Sequence, residues 1–287
     1  RGCHMKKFKI EKEHHGYKIS EYLREIQNYS GRGLRNIEVF LDGKKVRTTQ
    51  KIRKQGLLKV VEKEKGTNIK PIKIPLDIVF EDEDILVVNK QPYLVTHPTK
   101  KKVDVTLANG IVYYFQEKYG KEMVPRFYNR LDMDTSGLII IAKNSFAQAF
   151  LQNFGDVKKY YMALVHGIIK EEMINIEKPI ARVGDDLRRK ILDEGQYAKT
   201  VVKTIKRNEE KNITLTECEL FTGRTHQIRV HLSNEGYPIL GDKLYGDMDD
   251  NVKRQMLHSY KVSFIHPRTK ERKELEIEMY DDMKEFM

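Results

Sequence analysis

Cysteine is nearly absent: the 287 residues hold two, Cys3 and Cys218. Two thiols build neither a disulfide framework nor a four-cysteine zinc site. Long apolar runs are missing as well. No stretch approaches the roughly 20 residues that a membrane span requires, and no charged-then-apolar amino terminus of the secretory type opens the chain. The compartment expected is the cytoplasm. There is no Gly-rich phosphate loop, no metal-ligand cluster at usable spacing, no internal repeat and no low-complexity segment. Metal, nucleotide and redox cofactors are therefore not expected. His14 and His15 stand together without further ligands and read as solvated. Residues 1–4, Arg-Gly-Cys-His before Met5, read as an expression-tag remnant, which would make Cys3 foreign.

What the chain has in excess is positive charge. Fifty-three Lys and Arg stand against 42 Asp and Glu, a formal charge of +11. That balance favours a polyanionic partner, nucleic acid before an anionic membrane surface. No basic amphipathic helix with a bulky apolar face supports the membrane option. A hydrophobic fraction of 39% is enough for a core, and the length suits a large catalytic domain with a small module beside it.

From Met5 to Glu64 the pattern is short-period and basic. Ile19, Tyr22, Leu23 and Ile26 form a helical stripe, and a second short helix runs through Leu34. Ile37–Leu41 and Lys44–Arg47 read as strands around the hairpin turn Asp42-Gly43, with a further strand at 57–61. Residues 65–75 read as a linker, with Gly66, Pro71 and Pro75. Two strands follow around the acidic turn of 76–90. Helices are expected at 106–119, 143–154 with Gly155 as the stop, and 225–232. Strands are expected at 160–165, 198–205, 213–220, 262–265 and 273–277. Strands outnumber helices and are joined mainly by turns. The fold class expected is α+β around a mixed, mostly antiparallel sheet.

Two polar clusters stand out. Asn129-Arg130-Leu131-Asp132-Met133-Asp134-Thr135-Ser136-Gly137 runs straight into the apolar Leu138–Ala142. Gly223-Arg224-Thr225-His226-Gln227-Ile228-Arg229-Val230-His231-Leu232 lies far downstream. Taken alone, Asp132 is a turn or cap residue. An Arg set against it would keep it ionised and oriented. Arg229 is a candidate, on a helix whose Ile228 and Leu232 share a buried face. In Lys159-Tyr160-Tyr161-Met162-Ala163-Leu164-Val165, strand geometry puts Tyr161, Ala163 and Val165 on one face, where a tyrosine is ordinarily core. Arg224, His226 and Gln227, at a helix start, either donate to phosphates and bases or brace the turn. Arg130 alone reads as a surface cation.

These segments together resemble the RluA-type RNA pseudouridine synthases. That family runs His-Arg-Leu-Asp-x-x-Thr-Ser-Gly, Lys-x-Tyr-x-Ala-x-Val-x-Gly and Gly-Arg-Thr-His-Gln-Ile-Arg-Val-His. Gly236–Gly246 fits its Gly-x-Pro-Ile-Leu-Gly-Asp-x-Leu-Tyr-Gly, and Leu257-His258-Ser259 and His266-Pro267 extend the likeness, so that it covers about 76–277. The resemblance implies conversion of uridine in RNA to pseudouridine without a cofactor. Asp132 is then the catalytic carboxylate, acting on the sugar by attack at C1′ or by abstracting a sugar proton. Arg229 pairs with it, and Tyr161 stacks on the base and assists removal of the C5 proton. Arg130 fills the space that the flipped base vacates. Asn129, Arg224, His226 and Gln227 join Arg130 as RNA-binding candidates. Asn129 departs from the family's His and Tyr93 from its common Gly. The first implies altered contacts to RNA or loop, the second a changed loop.

The amino-terminal helices and hairpin resemble a small S4-like RNA-binding module, with a looser Ser30-Gly31-Arg32-Gly33 start; a generic α+β domain is the alternative. The domain layout expected is 5–64 for that module, 65–75 for the linker and 76–287 for the catalytic domain. The substrate expected is large-subunit ribosomal RNA, with transfer RNA as the alternative, and the chain is expected to be a monomer with no protein partner. Two rivals differ in class. Asp134-Thr135-Ser136-Gly137 matches the short aspartic-protease signature, which needs a second copy. An RNA-binding protein that has lost activity would carry Asn129 as its mark.

Overall fold

Leu138–Ala142 is too apolar to face water on either side. The computed structural model sets it in β8 (Ser136–Ala142), buried along its whole length inside a ten-stranded sheet. The structure describes residues 5–62, 66–99, 104–246, 248 and 251–287. The expected tag remnant at 1–4, with Cys3, lies outside them. The chain divides into two units, Arg1–Asn68 with Phe115–Val124, and Ile69–Tyr114 with Pro125–Met287.

The first unit holds β1 (Met5–Ile10), α1 (Ile19–Glu25), α2 (Gly31–Leu34), β2 (Ile37–Leu41), β3 (Lys44–Val46) and β4 (Gly56–Glu62). Its sheet is antiparallel in the order β1-β4-β2-β3. Ile19, Tyr22 and Leu23 of α1 pack with Val39, Leu58 and Val60. Ile26, expected on the same stripe, is exposed, because α1 ends at Glu25 and Ile26 is its cap. Asp42 and Gly43 have φ of 49° and 83°, positive at both positions as a two-residue hairpin of this twist demands. β1 was not expected. Its lysines hide the alternation, yet Phe8 and Ile10 face the core while Lys7 and Lys9 guard an edge strand.

The second unit contains β5 (Asp77–Glu81), β6 (Ile85–Lys90), β7 (Arg126–Phe127), β8, α4 (Ser145–Phe154), β9 (Lys158–His166), β10 (Met173–Glu177), β11 (Ile180–Arg182) and β12 (Arg189–Ile191). It continues with β13 (Lys199–Asn208), β14 (Ile213–Leu220), α5 (Gln227–Asn234), β15 (Leu257–Ile265), β16 (Arg272–Glu276) and α6 (Asp281–Lys284). Helix α3 (Leu107–Tyr119) starts in this unit. The main sheet runs β10-β13-β14-β9-β15-β8-β6-β5, with β16 beside β15 and β7 beside β8. Among the described strands of this sheet β15 and β8 are the parallel pair, through His258 with Ser136 and Ser259 with Gly137. The fold is therefore α+β with a mixed, mostly antiparallel sheet, as its patterning implied.

Helix α4 covers one face of β8. Ala147 and Leu151, one turn apart, join Val87, Leu138, Ile140 and Phe264 in a core cluster. The helix starts at Ser145 because Asn144 turns out of helical geometry and caps it, accepting from Ala147 N at 2.8 Å. Gly155 does end it, but in right-handed geometry; a Cβ there would lie 2.5 Å from Leu151 O. Helix α5 begins at Gln227 rather than Thr225, since His226 sits in the left-handed region at φ 58°. β7, β10, β11, β12 and α6 had no clear periodicity and were not anticipated.

Gly137 is where the parallel pair closes. Its φ is +121°, and a Cβ would lie 2.2 Å from Ser259 O. Gly137→Ala should therefore cost roughly 3 kcal/mol or more, from backbone strain and overpacking together. Chemical denaturation of the two proteins checks this; a loss under 1 kcal/mol would mean that the two strands can part.

Candidate active site

The loop from Tyr128 to Thr135 leaves the edge pairing of β7 and enters β8, and Asp132 stands at its turn. Every backbone carbonyl from Leu131 to Asp134 accepts a hydrogen bond. Thr96 Oγ1 holds Leu131 O at 3.0 Å, Thr135 N holds Asp132 O at 3.1 Å, and Leu94 N holds Met133 O at 3.1 Å. Lys90 Nζ also reaches Met133 O at 3.0 Å, and Arg254 Nη1 reaches Asp134 O at 2.9 Å. A loop held at each peptide keeps its side chain within the narrow tolerance that chemistry needs.

Asp132 then meets Arg229 from α5. Arg229 Nη1 donates to Asp132 Oδ2 at 2.9 Å, while Nε and Nη2 form a fork onto Asp242 at 2.7 and 2.9 Å. Asp242 is 1% exposed, whereas the Asp132 side chain keeps 33% exposure. The guanidinium also lies 5.2 Å from the Tyr245 ring centroid. Burial works against the charge on Arg229. Hydrogen bonds and charge from Asp242, then Asp132, outweigh burial and raise its proton affinity. The buried Asp242 fixes the fork, and the third donor is left to aim at Asp132.

His226 Nε2 lies 3.9 Å from Asp132 Oδ2. Its Nδ1 is 2.8 Å from Tyr245 Oη, which itself accepts from Arg189 N at 2.7 Å. Burial lowers the His226 pKa, Asp132 pulls it back up, and Arg229 lowers it further. Tyr161 is 6% exposed and abuts the same space; burial, then the charge of Asp132, raise its phenol pKa, against a hydrogen bond with Ser259.

All eight candidate residues read from the sequence line one cleft of about 690 Å³. Two of the eight have their amides engaged within the protein. Asn129, expected to contact RNA or loop, is buried and clamps β8: its Nδ2 donates to Leu138 O and its Oδ1 accepts from Ile140 N. Gln227, expected to bind RNA, is a brace. Its Oε1 accepts from Thr222 Oγ1 and Arg224 N, and its Nε2 donates to Lys199 O and Thr200 Oγ1. Those four bonds use the amide's ordinary capacity. Arg224 is anchored by Nε to Tyr197 O but keeps its place on the cleft, and Arg130 is exposed there.

Lys90, Arg254 and Asp242 were not foreseen as site residues. Asp242 lay within a quoted motif and Lys90 at a strand end, yet no local pattern connects either with Asp132. Arg254 is wholly buried and binds Asp282 of α6 through Nε at 2.7 Å and Nη2 at 3.0 Å. Lys90 is fully buried; desolvation, with Arg254 nearby, pushes its pKa down to about 7 despite Asp134 and Asp132.

One cluster has metal-like composition. Ligand atoms of Asp82, Asp84 and His266 lie within 4.8 Å of one another. Their bonding is already committed: Arg268 forks onto Asp84 at 2.7 and 2.9 Å, Asn144 donates to Asp84, and His266 Nε2 meets Asp82 at 2.6 Å. His266 Nδ1 accepts from Arg268 N and Thr269 N. Register puts this cluster at the Ala142 end of β8, away from Asp132.

Comparison with known proteins decides the family. The family model described as RNA pseudouridylate synthase matches residues 84–234. The chain belongs to the RluA-type RNA pseudouridine synthases. It is 37% identical over 247 residues to an uncharacterized RNA pseudouridine synthase of Bacillus subtilis, spanning 84% of this chain and 86% of that one. It is 37% identical over 229 residues to the ribosomal large subunit pseudouridine synthase D of Zymomonas mobilis, 74% and 72% of the two chains. Among solved structures, human RNA pseudouridylate synthase domain containing 1 superposes with a TM-score of 0.59 at 28% identity, over 71% of this chain and 83% of that one. This pseudouridine synthase is thus an isomerase of uridine in RNA.

Two outcomes follow from the charges. Asp242→Ala leaves Arg229 buried with one partner and should cost about 3 kcal/mol, read by chemical denaturation; a neutral result would mean that Asp132 alone holds the guanidinium. For Lys90 the folded pKa lies below the unfolded one. Between about pH 7 and about 10.4 the unfolded chain keeps a proton that the folded chain has shed, so this residue makes stability rise with pH across that window. The difference in melting temperature between wild type and Lys90→Met should grow over that range; a flat difference would place its titration elsewhere.

Proposed function

We propose that the cleft takes a uridine flipped out of structured RNA, and that large-subunit ribosomal RNA is the substrate, with transfer RNA as the alternative. The observation that carries the reading is Asp132: a carboxylate held on a fixed loop, open to the cleft, with Arg229 on one oxygen. The other oxygen, Oδ1, has no protein partner among the described residues and is available to the sugar. An ionised carboxylate serves either route, attack at C1′ or abstraction of a sugar proton. In both, the C1′–N1 bond breaks, C1′–C5 forms, C5 gives up its proton and N1 takes one up.

Tyr161 closes the cleft beside Asp132 and stacks on the base. Burial and the neighbouring carboxylate keep its phenol protonated, so it begins as a hydrogen-bond donor and helps to relay the C5 proton rather than standing as a phenolate. Arg130, exposed at the same cleft, fills the gap left in the RNA stack. Arg224 and His226 contribute donors along the strand of RNA.

The net charge of +11 supports a long polyanionic partner. The printed name of the Zymomonas relative supports ribosomal RNA as the choice. On this reading residues 5–64 are an S4-like anchor and 76–287 the catalytic domain, joined by 65–75, in a monomer that acts in the cytoplasm. No helix among the described residues is long and apolar enough to cross a membrane.

Tritium release from RNA labelled at C5 of uridine is the test, with ribosomal and transfer RNA compared. Wild type should release label, and Asp132→Asn should be slower by about 10³-fold or more, the scale seen when a covalent or proton-transfer group is removed. Equal rates would remove Asp132 from the chemistry. RNA binding without release from either protein would favour a binding-only role.

A further inference from the structure

Lys159 stands in the same motif as Tyr161 and has no part in the contacts described so far. It stands two residues before Tyr161 on the same face of β9, and both line the cleft. Its side chain is partly buried in the cleft wall, and that burial is the single cause that lowers its proton affinity. Among the described residues no carboxylate pairs with its ammonium. The cleft offers just one acidic side chain, Asp132, and that is taken by Arg229. Gly223 lies beside the ammonium, just past the end of β14, whose Leu220 pairs with Lys159. A Cβ at that position would come within 3.4 Å of Lys159 Nζ, so glycine keeps that side open.

A partly buried cation without a counter-ion loses hydration that nothing in the protein replaces, and removing it costs the fold little. Strain of this kind is retained where a ligand completes the pairing. The uracil ring is neutral and the ribose is neutral. The anionic group of a bound nucleotide is its phosphate. From this geometry we infer that Lys159 is a phosphate-binding residue of the cleft, gripping a phosphodiester that flanks the target uridine. The inference rests on the reading of the cleft as a nucleotide site. It adds that recognition includes the backbone of the flipped nucleotide itself. Arg229 does not compete for this role, because it is turned to Asp132 and Asp242. A desolvated ammonium attracts phosphate more strongly than a solvated surface lysine does. The contact therefore favours the state in which the nucleotide has left the helix and entered the cleft.

The test uses the full chain and three probes: uridine, uridine 3′-monophosphate and uridine 5′-monophosphate. Affinities are read by NMR titration for wild type and for Lys159→Met, which keeps the length and loses the charge. Wild type should bind at least one monophosphate about 10-fold more tightly than uridine, the scale of one charge-assisted contact. In Lys159→Met that preference should fall below about 2-fold, with uridine affinity unchanged. The variant's melting temperature should be equal to or above that of wild type, which a merely structural lysine would not allow. A preference that survives in the variant, or is missing in wild type, overturns the proposal. Tritium release does not enter this readout. Phosphate preference without isomerisation would sink the proposed function and leave Lys159 in place, and turnover without phosphate preference would sink Lys159 alone.

Discussion

The fork between Arg229 and Asp242 is the contact on which the site depends. Two charged groups out of water need each other, and a planar guanidinium facing a carboxylate has one geometry that satisfies both. Once Nε and Nη2 are committed to Asp242, Nη1 has a fixed direction, and Asp132 lies along it. Three segments far apart in sequence are tied by that one group: the loop before β8, helix α5, and the turn that follows Ile239 and Leu240. The same pairing resolves an electrostatic problem. The Asp132 carboxylate is paired with a buried cation yet keeps 33% of its side chain exposed, so the pairing does not seal it from substrate.

The sheet explains how those segments come to meet. β8 is buried on both faces and pairs with β6 on one side and β15 on the other, so its amino-terminal end is fixed in space. Gly137 allows the backbone of β15 to approach at that point, and Tyr161 of β9 pairs with Ser259 of β15 one strand further on. Beneath the loop, Lys90 and Arg254 donate to its carbonyls rather than to its carboxylates. Two buried cations under one loop would repel each other. Asp134 and Asp282 supply the balance, the first by proximity and the second by a fork onto Arg254. Arg229 and Arg254 thus set positive charge beside and below Asp132, and the cleft above it is left for RNA.

Much of this was legible along the chain because it was local. The apolar run at Leu138–Ala142, the hairpin at Asp42-Gly43 and the stripe of Ile19, Tyr22 and Leu23 each declare themselves by period or by turn chemistry. Other elements were hidden for equally local reasons. β1 mixes lysine into its inward face, and β11 and β12 are three residues each, too short for a period to register. His226 adopts a left-handed backbone that its identity does not require, and this moved the start of α5.

The order of residue types by itself determined the fold class, the basic character and the short list of groups able to do chemistry, because periodicity, net charge and side-chain identity are properties of the chain as written. Proximity is not such a property. Asn129 and Gln227 looked like donors for RNA, and the fold spent their amides on neighbouring backbone and side chains. Asp242 and Arg254 became site residues only when strands and helices distant in sequence packed together. Lys159 became a cation without a partner in the same way. Which polar group is left unsatisfied, and therefore free for a substrate, is decided by what surrounds it in three dimensions.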